Sequence, residues 1–583
     1  MTLAGSSGSH GVYQLEWPVT PWCRDRVSLV EGLESRGLAV GGHVRLDYGK
    51  ELQARLGLAE GTSAAELVLA AWRTRGPDCL TMLFGEFAFA VYDGEALWLV
   101  QSPFVRWPIY YTETAEGLAF HSSARALHRL LDRAPRLHER ALAAWAIRQR
   151  LVEPSDTFFE GVSRVEPAGL VKVVEGRVVS RHCWWKPVWS PAPAGRDLAE
   201  LAAHLTDQAV RSRLGSRPVG CYLSGGLDSS TLTALACRAL GQQGRRLIAF
   251  SSVLPPGYAG PERDEREPIG VMARHFELEV VEVVPTRGPT CDLPGHTELA
   301  ESPYLFPKQY VFAAMLEAAR RRGLATILDG GFGELTLSHD APTAFAYLAR
   351  RGRWRELAGL VQAWAPRAGL PWWRVWFATV LRPLLPTRRV PAPWLPLQAD
   401  FVARQGLRPR FERPRAQGWL PPMEGLTSVL TAVGSSALPF YDRHFGVEVH
   451  KPFLDRRLIE FCLTLDPADF WLDGWRRGLV RQAMRDILPR AIVERTDRGA
   501  FAPDFFARFR QGAPALRAEF GSQGPTDLAA HYFDLESLRK LLDQLTSRPA
   551  SEKSPQGAQA KQVLLRSLGG VRFLRSLHSQ PVQ

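Results

Sequence analysis

Residues Ser224-Gly225-Gly226-Leu227-Asp228-Ser229-Ser230 follow directly on the apolar run 219–223, and a helical pattern continues from them to residue 240. This strand–loop–helix order constrains the fold more than any other stretch of the chain. Paired glycines let a backbone turn tightly and approach an anion closely. The helix behind them offers unpaired N–H groups and the positive end of its dipole. Ser224, Ser229 and Ser230 add hydroxyl donors for phosphate oxygens. Asp228 would repel a phosphate unless a cation lay between them, so its position predicts Mg²⁺. The loop is not of the Walker type, since no Gly-x-x-x-x-Gly-Lys-Ser/Thr run occurs.

The same alternation continues beyond the loop. Apolar runs at 247–251, 278–284 and 325–328 are separated by helical patterns, one of them at 310–322. This is the pattern of a parallel sheet with crossover helices, in which ligands bind at the carboxyl ends of the strands. Residues 1–190 differ: short apolar or alternating runs at 84–92, 97–100, 109–112, 118–121 and 170–174 predict a β-rich domain, interrupted by helices at 64–72 and 140–151. A Pro-rich linker is expected at 186–195. From about 345 the chain reads as helical, with a Trp-rich insert over about 345–436 and a polar, low-order stretch at 547–562. The expected architecture is α/β overall, with domains at 1–190 and 196–583.

Composition narrows the setting. Seven cysteines with no Cys-x-x-Cys pair argue against a disulfide framework or zinc site and fit a reducing cytoplasm. No apolar run is long enough for a membrane span. The net charge of +12 comes without a basic tail or nucleic-acid motif, so we read it as a solvated Arg-rich surface plus a phosphate site.

The heptapeptide resembles the PP-loop of ATP pyrophosphatases, which cleave between the α- and β-phosphates. The wider chain resembles the asparagine synthetase superfamily over most of 60–190, 200–340 and 437–505. The resemblance implies ATP and Mg²⁺ as cofactors, with Ser251 joining residues 224–230 and Asp329-Gly330-Gly331 in holding the nucleotide. Asp228 and Glu334 would hold the metal, with Asp329 competing for the place of Glu334. Asp264, Glu265 and Arg443 fall near the substrate, and Glu448 or Tyr441 would help an attacking amine lose its proton. The family's lysine that stabilises the transferring phosphate has Asp497 in its slot, which leaves Arg498 or Arg495 to supply the cation.

Residues 64–93, Pro108-Ile109-Tyr110-Tyr111 and Thr157-Phe158-Phe159-Glu160-Gly161 resemble the glutaminase domain of class II amidotransferases, an Ntn-type fold. Those enzymes use an N-terminal cysteine, whereas this sequence starts Met1-Thr2 and its first cysteine is Cys23. The Asn-Gly and Gly-Asp elements that bind glutamine are also missing. Ammonia from glutamine is therefore not expected. The superfamily members that take their amine from the substrate itself are β-lactam synthetases and lasso peptide cyclases, and the chain looks most like the cyclases. That likeness implies adenylation of an Asp or Glu side chain of a precursor peptide, then attack by its N-terminal amine to close a macrolactam. A core peptide, a leader peptidase and a leader-recognition protein are the implied partners, with the Trp-rich insert suiting a peptide substrate. The rival readings are an amide ligase acting on a small substrate and a non-catalytic nucleotide-binding docking protein.

Overall fold

Along Phe84–Tyr92, Phe87, Phe89 and Val91 alternate with Ala88 and Ala90, and both sets are buried. A strand buried on both faces lies inside a covered sheet. The large side chains pack on Leu67, Val68 and Trp72 of the helix Ala64–Arg75. The small ones meet Tyr111 and Phe120 from a second, three-stranded sheet. The strand sits centrally in a six-stranded antiparallel sheet ordered Arg177–Cys183, Gly169–Val174, Leu97–Gln101, Phe84–Tyr92, Leu38–Asp47, Leu33–Ser35. Ser63 starts the helix with a capping box, its hydroxyl accepting from the Glu66 N–H while the Glu66 carboxylate accepts from the Ser63 N–H. The computed structural model describes residues 38–148, 153–191, 197–258, 260, 262, 265–291, 301–385, 390–391, 395–408, 411–412, 444–497, 501–547 and 554–578, with short strands at Thr2–Leu3, Tyr13–Gln14 and Leu33–Ser35.

The C-terminal part holds a five-stranded parallel sheet in the order Glu279–Val283, Ile248–Ser252, Val219–Tyr222, Thr326–Leu328, Glu448–His450. Taken by position in the chain this order is third, second, first, fourth, fifth. The direction of winding therefore reverses between Val219–Tyr222 and Thr326–Leu328. Loops leaving the carboxyl ends of two such strands diverge and open a crevice, the usual ligand position in sheets of this kind. The helix Leu227–Gly241 follows the first strand, with Leu232, Leu235 and Ala239 buried against the sheet's core.

Buried charge joins the two sheets. Arg213, after the helix Leu198–Arg211, donates to Asp47 at 2.9 Å and to Asp455 at 3.1 Å. Asp455 also accepts from the Tyr48 hydroxyl at 3.0 Å and caps the helix Arg456–Leu463 through the Arg457 N–H at 2.9 Å. The expected linker docks in part, since Trp189 Nε1 donates to the Leu465 carbonyl and the Ser190 N–H to that of Leu463. At the far end, Leu564, Leu568, Val571 and Leu574 of the helix Pro555–His578 pack with Trp145 and Phe158 of the N-terminal part. This corrects the expectation of low order at 547–562: from Pro555 onward the segment is helical, because these leucines have an apolar seat on two domains.

Candidate active site

The crevice at the reversal point is where the loop 224–229 meets the loop after Leu328. Gly226 caps the helix Leu227–Gly241 with extended backbone and no side-chain bond, leaving the helix's N-terminal groups facing an open cleft. Gly225 has φ +65°, and a Cβ there would stand 2.7 Å from Pro268 Cβ, so both conformation and space demand glycine. The Ser229 hydroxyl accepts from the Ser224 N–H at 3.1 Å and lies 3.0 Å from the Ser224 hydroxyl, which folds the loop over itself. A Cβ on Gly333 would sit 2.6 Å from Asp228 Oδ1, so the second loop packs directly on the first.

Asp329 and Glu334 have distinct surroundings. Asp329 is buried, and its carboxylate accepts from the Gly331 N–H at 2.9 Å and from Lys451 Nζ. Its charge is thereby matched and its orientation fixed. Glu334 is exposed, lines the cleft, and makes no ion pair among those of the described residues. Asp228 lies 3.5 Å from the Arg477 guanidinium, which also donates to Asp340 at 2.8 Å. Burial raises the Asp340 carboxyl, but the hydrogen bond and charge of Arg477, helped by Arg476, outweigh it and hold the carboxyl below its usual range.

Arg495 braces the loop. It donates to the Gly225 carbonyl at 3.1 Å, to Glu265 at 2.7 Å and to Asp497 at 2.9 Å. Glu265 stands at the N-terminus of the helix Arg266–Phe276 but makes no side-chain cap; its carboxylate is engaged by Arg495. The opposite wall is aromatic, with Phe306, Phe312 and Phe501, and carries Lys308, whose ammonium burial pushes down from its ordinary range. The whole cleft measures about 490 Å³. It combines backbone and hydroxyl donors, six carboxylates and several cations beside an apolar wall, which suits a metal-bound polyanion next to an organic substrate.

Several residues singled out from sequence lie elsewhere. Ser251 is fully buried, its hydroxyl donates to the Leu223 carbonyl, and it does not line the cleft. Ser230 is fully buried in the first turn of the helix, turned into the core by the helical period. Glu448 is in the domain interface, 3.1 Å from His450 Nε2 and 4.0 Å from Arg106, and is not part of the cleft wall. Glu301, which no sequence motif above includes, accepts from the N–H groups of Ala124 and Arg125 and so ties the two domains together. Asp264, Tyr441, Arg443 and Arg498 lie outside the described residues. Lys308, Arg476, Arg477 and Asp340 also line the cleft, and no motif in the sequence marks them. Only the run Arg476-Arg477 in an otherwise apolar stretch hinted at them.

Among the described residues no group of three or more His, Cys, Asp or Glu side chains forms a metal cage. Mg²⁺ needs none, because it is commonly held by one or two carboxylates with substrate phosphates. Asp228 and Glu334, both facing the cleft, fit that donor set.

A profile described as Asparagine synthase matches residues 201–568, and one described as a Glutamine amidotransferase domain matches residues 44–185. The chain belongs to the asparagine synthase family. Its fold follows: an N-terminal amidotransferase-type β-rich domain, then a parallel-sheet synthetase domain with a helical C-terminal part. Among curated relatives, Asparagine synthetase (glutamine-hydrolyzing) 3 of Bacillus subtilis is 23% identical over 77% of this chain and 72% of its own length. A Mycobacterium tuberculosis protein, provisionally named a glutamine-hydrolyzing asparagine synthetase, is 29% identical over 36% of this chain, a match spanning only a third (33%) of that relative's length. A solved glutamine phosphoribosylpyrophosphate amidotransferase from B. subtilis covers 45% of this chain and 64% of its own, at 11% identity and a TM-score of 0.20, too low to support any argument. Among the described residues of this family member, no helix is long and apolar enough to cross a membrane.

Proposed function

We propose that this asparagine synthase family member is an ATP-dependent, AMP-forming amide ligase that cyclises a peptide, as lasso peptide cyclases do. The observation that carries the ligase reading is the meeting of the loop 224–229 with Asp329, Gly330, Gly331 and Glu334 in one cleft at the sheet's reversal point. ATP would enter with its phosphates against the N-terminus of the helix Leu227–Gly241 and the hydroxyls of Ser224 and Ser229. Mg²⁺ on Asp228 and Glu334 would neutralise phosphate charge. Arg477, Arg476 and Lys308 stand where they would stabilise charge on the phosphates as the substrate carboxylate attacks the α-phosphorus. Arg495 acts one step removed, holding the Gly225 turn through its carbonyl while Glu265 fixes the guanidinium. The apolar wall of Phe306, Phe312 and Phe501 would seat the activated acyl group and exclude water from it.

The amine's source separates the peptide reading from its alternatives. The sequence contains no asparagine, so the Asn-Gly element that binds glutamine in amidotransferases has no counterpart in residues 44–185. An amine carried by the substrate itself removes the need for that element, and proximity supplies much of the rate. The pathway would also need a leader peptidase and a leader-recognition protein to deliver the core peptide. A second reading, an amide ligase acting on a small substrate, is supported by the names of the curated relatives. Incubation with Mg·ATP and a leaderless peptide bearing an internal Asp or Glu, read by mass spectrometry, tests the proposal. Loss of one water together with AMP release supports cyclisation. An amide formed with added ammonia or amine, and no cyclic product, establishes the second reading instead.

A further inference from the structure

The helical segments Trp372–Trp376, Phe377–Leu381 and Arg382–Leu384 form one continuous helix, since the junction residues Phe377 and Arg382 keep helical backbone angles. Its inner face buries Val375 and Val380 in the core of the synthetase domain. Its outer face is apolar as well. Trp373, Phe377, Leu381 and Leu385 recur at four-residue spacing and are 52%, 49%, 37% and 49% exposed. A helix that is hydrophobic all round is normally covered on all sides. Trp354, Trp372 and Leu370 add to the same exposed surface, so that, among the described residues, seven of the twelve exposed large hydrophobic side chains fall within residues 354–385. Between them runs a groove of about 740 Å³ floored by Leu357, Val361 and Ala365. It shares no lining residue with the nucleotide cleft. An apolar patch of this extent marks an interaction surface.

Charge identifies the occupant. From Leu357 to Ala399 the sequence has no Asp or Glu but carries Arg367, Arg374, Arg382, Arg388 and Arg389. Arg374 lies over the Trp373 ring at 5.1 Å, with Arg382 two turns on. A second copy of the chain would bring the same arginines against each other, which opposes self-association through this face. A surface of Trp, Phe and Leu interleaved with arginines matches the interfacial region of a bilayer, where tryptophans sit at headgroup level and arginines meet anionic lipids. We propose that the exposed face of residues 372–385, with Trp354 beside it, docks this protein onto a membrane surface bearing anionic lipid, lying on the bilayer without spanning it.

Flotation of the full chain with vesicles of phosphatidylglycerol and phosphatidylcholine in equal parts, and with phosphatidylcholine alone, is the test. Binding to the anionic vesicles, weakened by salt and accompanied by quenching of tryptophan emission by brominated lipid, is expected. Trp373→Glu with Phe377→Glu should abolish it. Arg374→Ala with Arg382→Ala, which leaves the apolar surface intact, should weaken it on the order of tenfold or more. Absence of wild-type binding overturns the proposal. So does binding that survives the Trp373→Glu, Phe377→Glu change in a variant whose circular dichroism matches wild type. A concentration-dependent dimer lost in that variant, without vesicle binding, would assign the face to self-association and overturn it equally.

Discussion

The guanidinium of Arg477 stands 3.5 Å from the carboxylate of Asp228, and the same side chain is anchored to Asp340 at 2.8 Å. A cation held this way beside the carboxylate proposed to hold Mg²⁺ is oriented before any phosphate arrives. Preorganised charge of this kind is usually the largest single contribution to catalysis. Arg477→Ala should lower substrate-dependent pyrophosphate release by about 10²–10³-fold, measured by a coupled phosphate assay. Arg477→Lys should recover part of the loss, because the charge returns without the fork that reaches Asp228 and Asp340 together.

Gly225 holds a left-handed turn against Pro268, whose ring cannot move aside. Gly225→Ala should therefore reduce both stability, by about 1–3 kcal/mol, and nucleotide binding. Urea denaturation and ATP titration by calorimetry read the two effects separately.

Arg213 is buried between Asp47 of the N-terminal domain and Asp455 of the synthetase domain. Removing one member of a buried charge cluster leaves the others uncompensated. Arg213→Met should cost about 3–5 kcal/mol of stability, with Asp455→Asn in the same background restoring part of it. Urea midpoints of the single and double variants check this.

Acid should loosen the same interface. Burial pushes the Glu448 carboxyl up, yet its hydrogen bond with His450 and the charge of Arg106 prevail and hold it at about 2, down from an ordinary 4.5. Glu86, in contact with Arg45, Arg106 and His450, moves in the same direction. A carboxyl depressed in the folded state contributes stability above its unfolded value and loses it as pH falls towards the folded one. For Glu448 that window runs from 4.5 down to about 2, and the amount at stake is about 3 kcal/mol. The urea midpoint should fall through that range, and Glu448→Gln should flatten the dependence.

Much of this organisation was legible in the sequence because it is local. The strand at 84–92, the four strands and crossovers from 219 to 328, and the loop at 224–230 each announce themselves by a short period and a glycine signal. What could not be read is set by distant packing. The strand Glu448–His450 is three residues long, too short for a period, and exists because Thr326–Leu328 offers it an edge. Glu448 was expected in the site from its motif, but alternation along that strand places its carboxylate with His450 towards Arg106 and Glu86 of the other domain. Arg477 and Lys308 reach the cleft from segments separated from the loop by roughly 250 and 80 residues, so no spacing rule links them to it. Asp497 in the family's lysine slot directed attention to neighbouring arginines, yet Arg495 is occupied with Glu265 and Gly225.

Under the proposed function, the cleft activates a carboxylate by cleaving ATP between the α- and β-phosphates. Product analysis by ³¹P NMR, with Mg·ATP and a carboxylate-bearing peptide, tests it most directly. AMP and pyrophosphate are expected, formed only when the peptide is present and lost in Asp228→Asn and Glu334→Gln. ADP with inorganic phosphate, or pyrophosphate release indifferent to both substitutions, would contradict it.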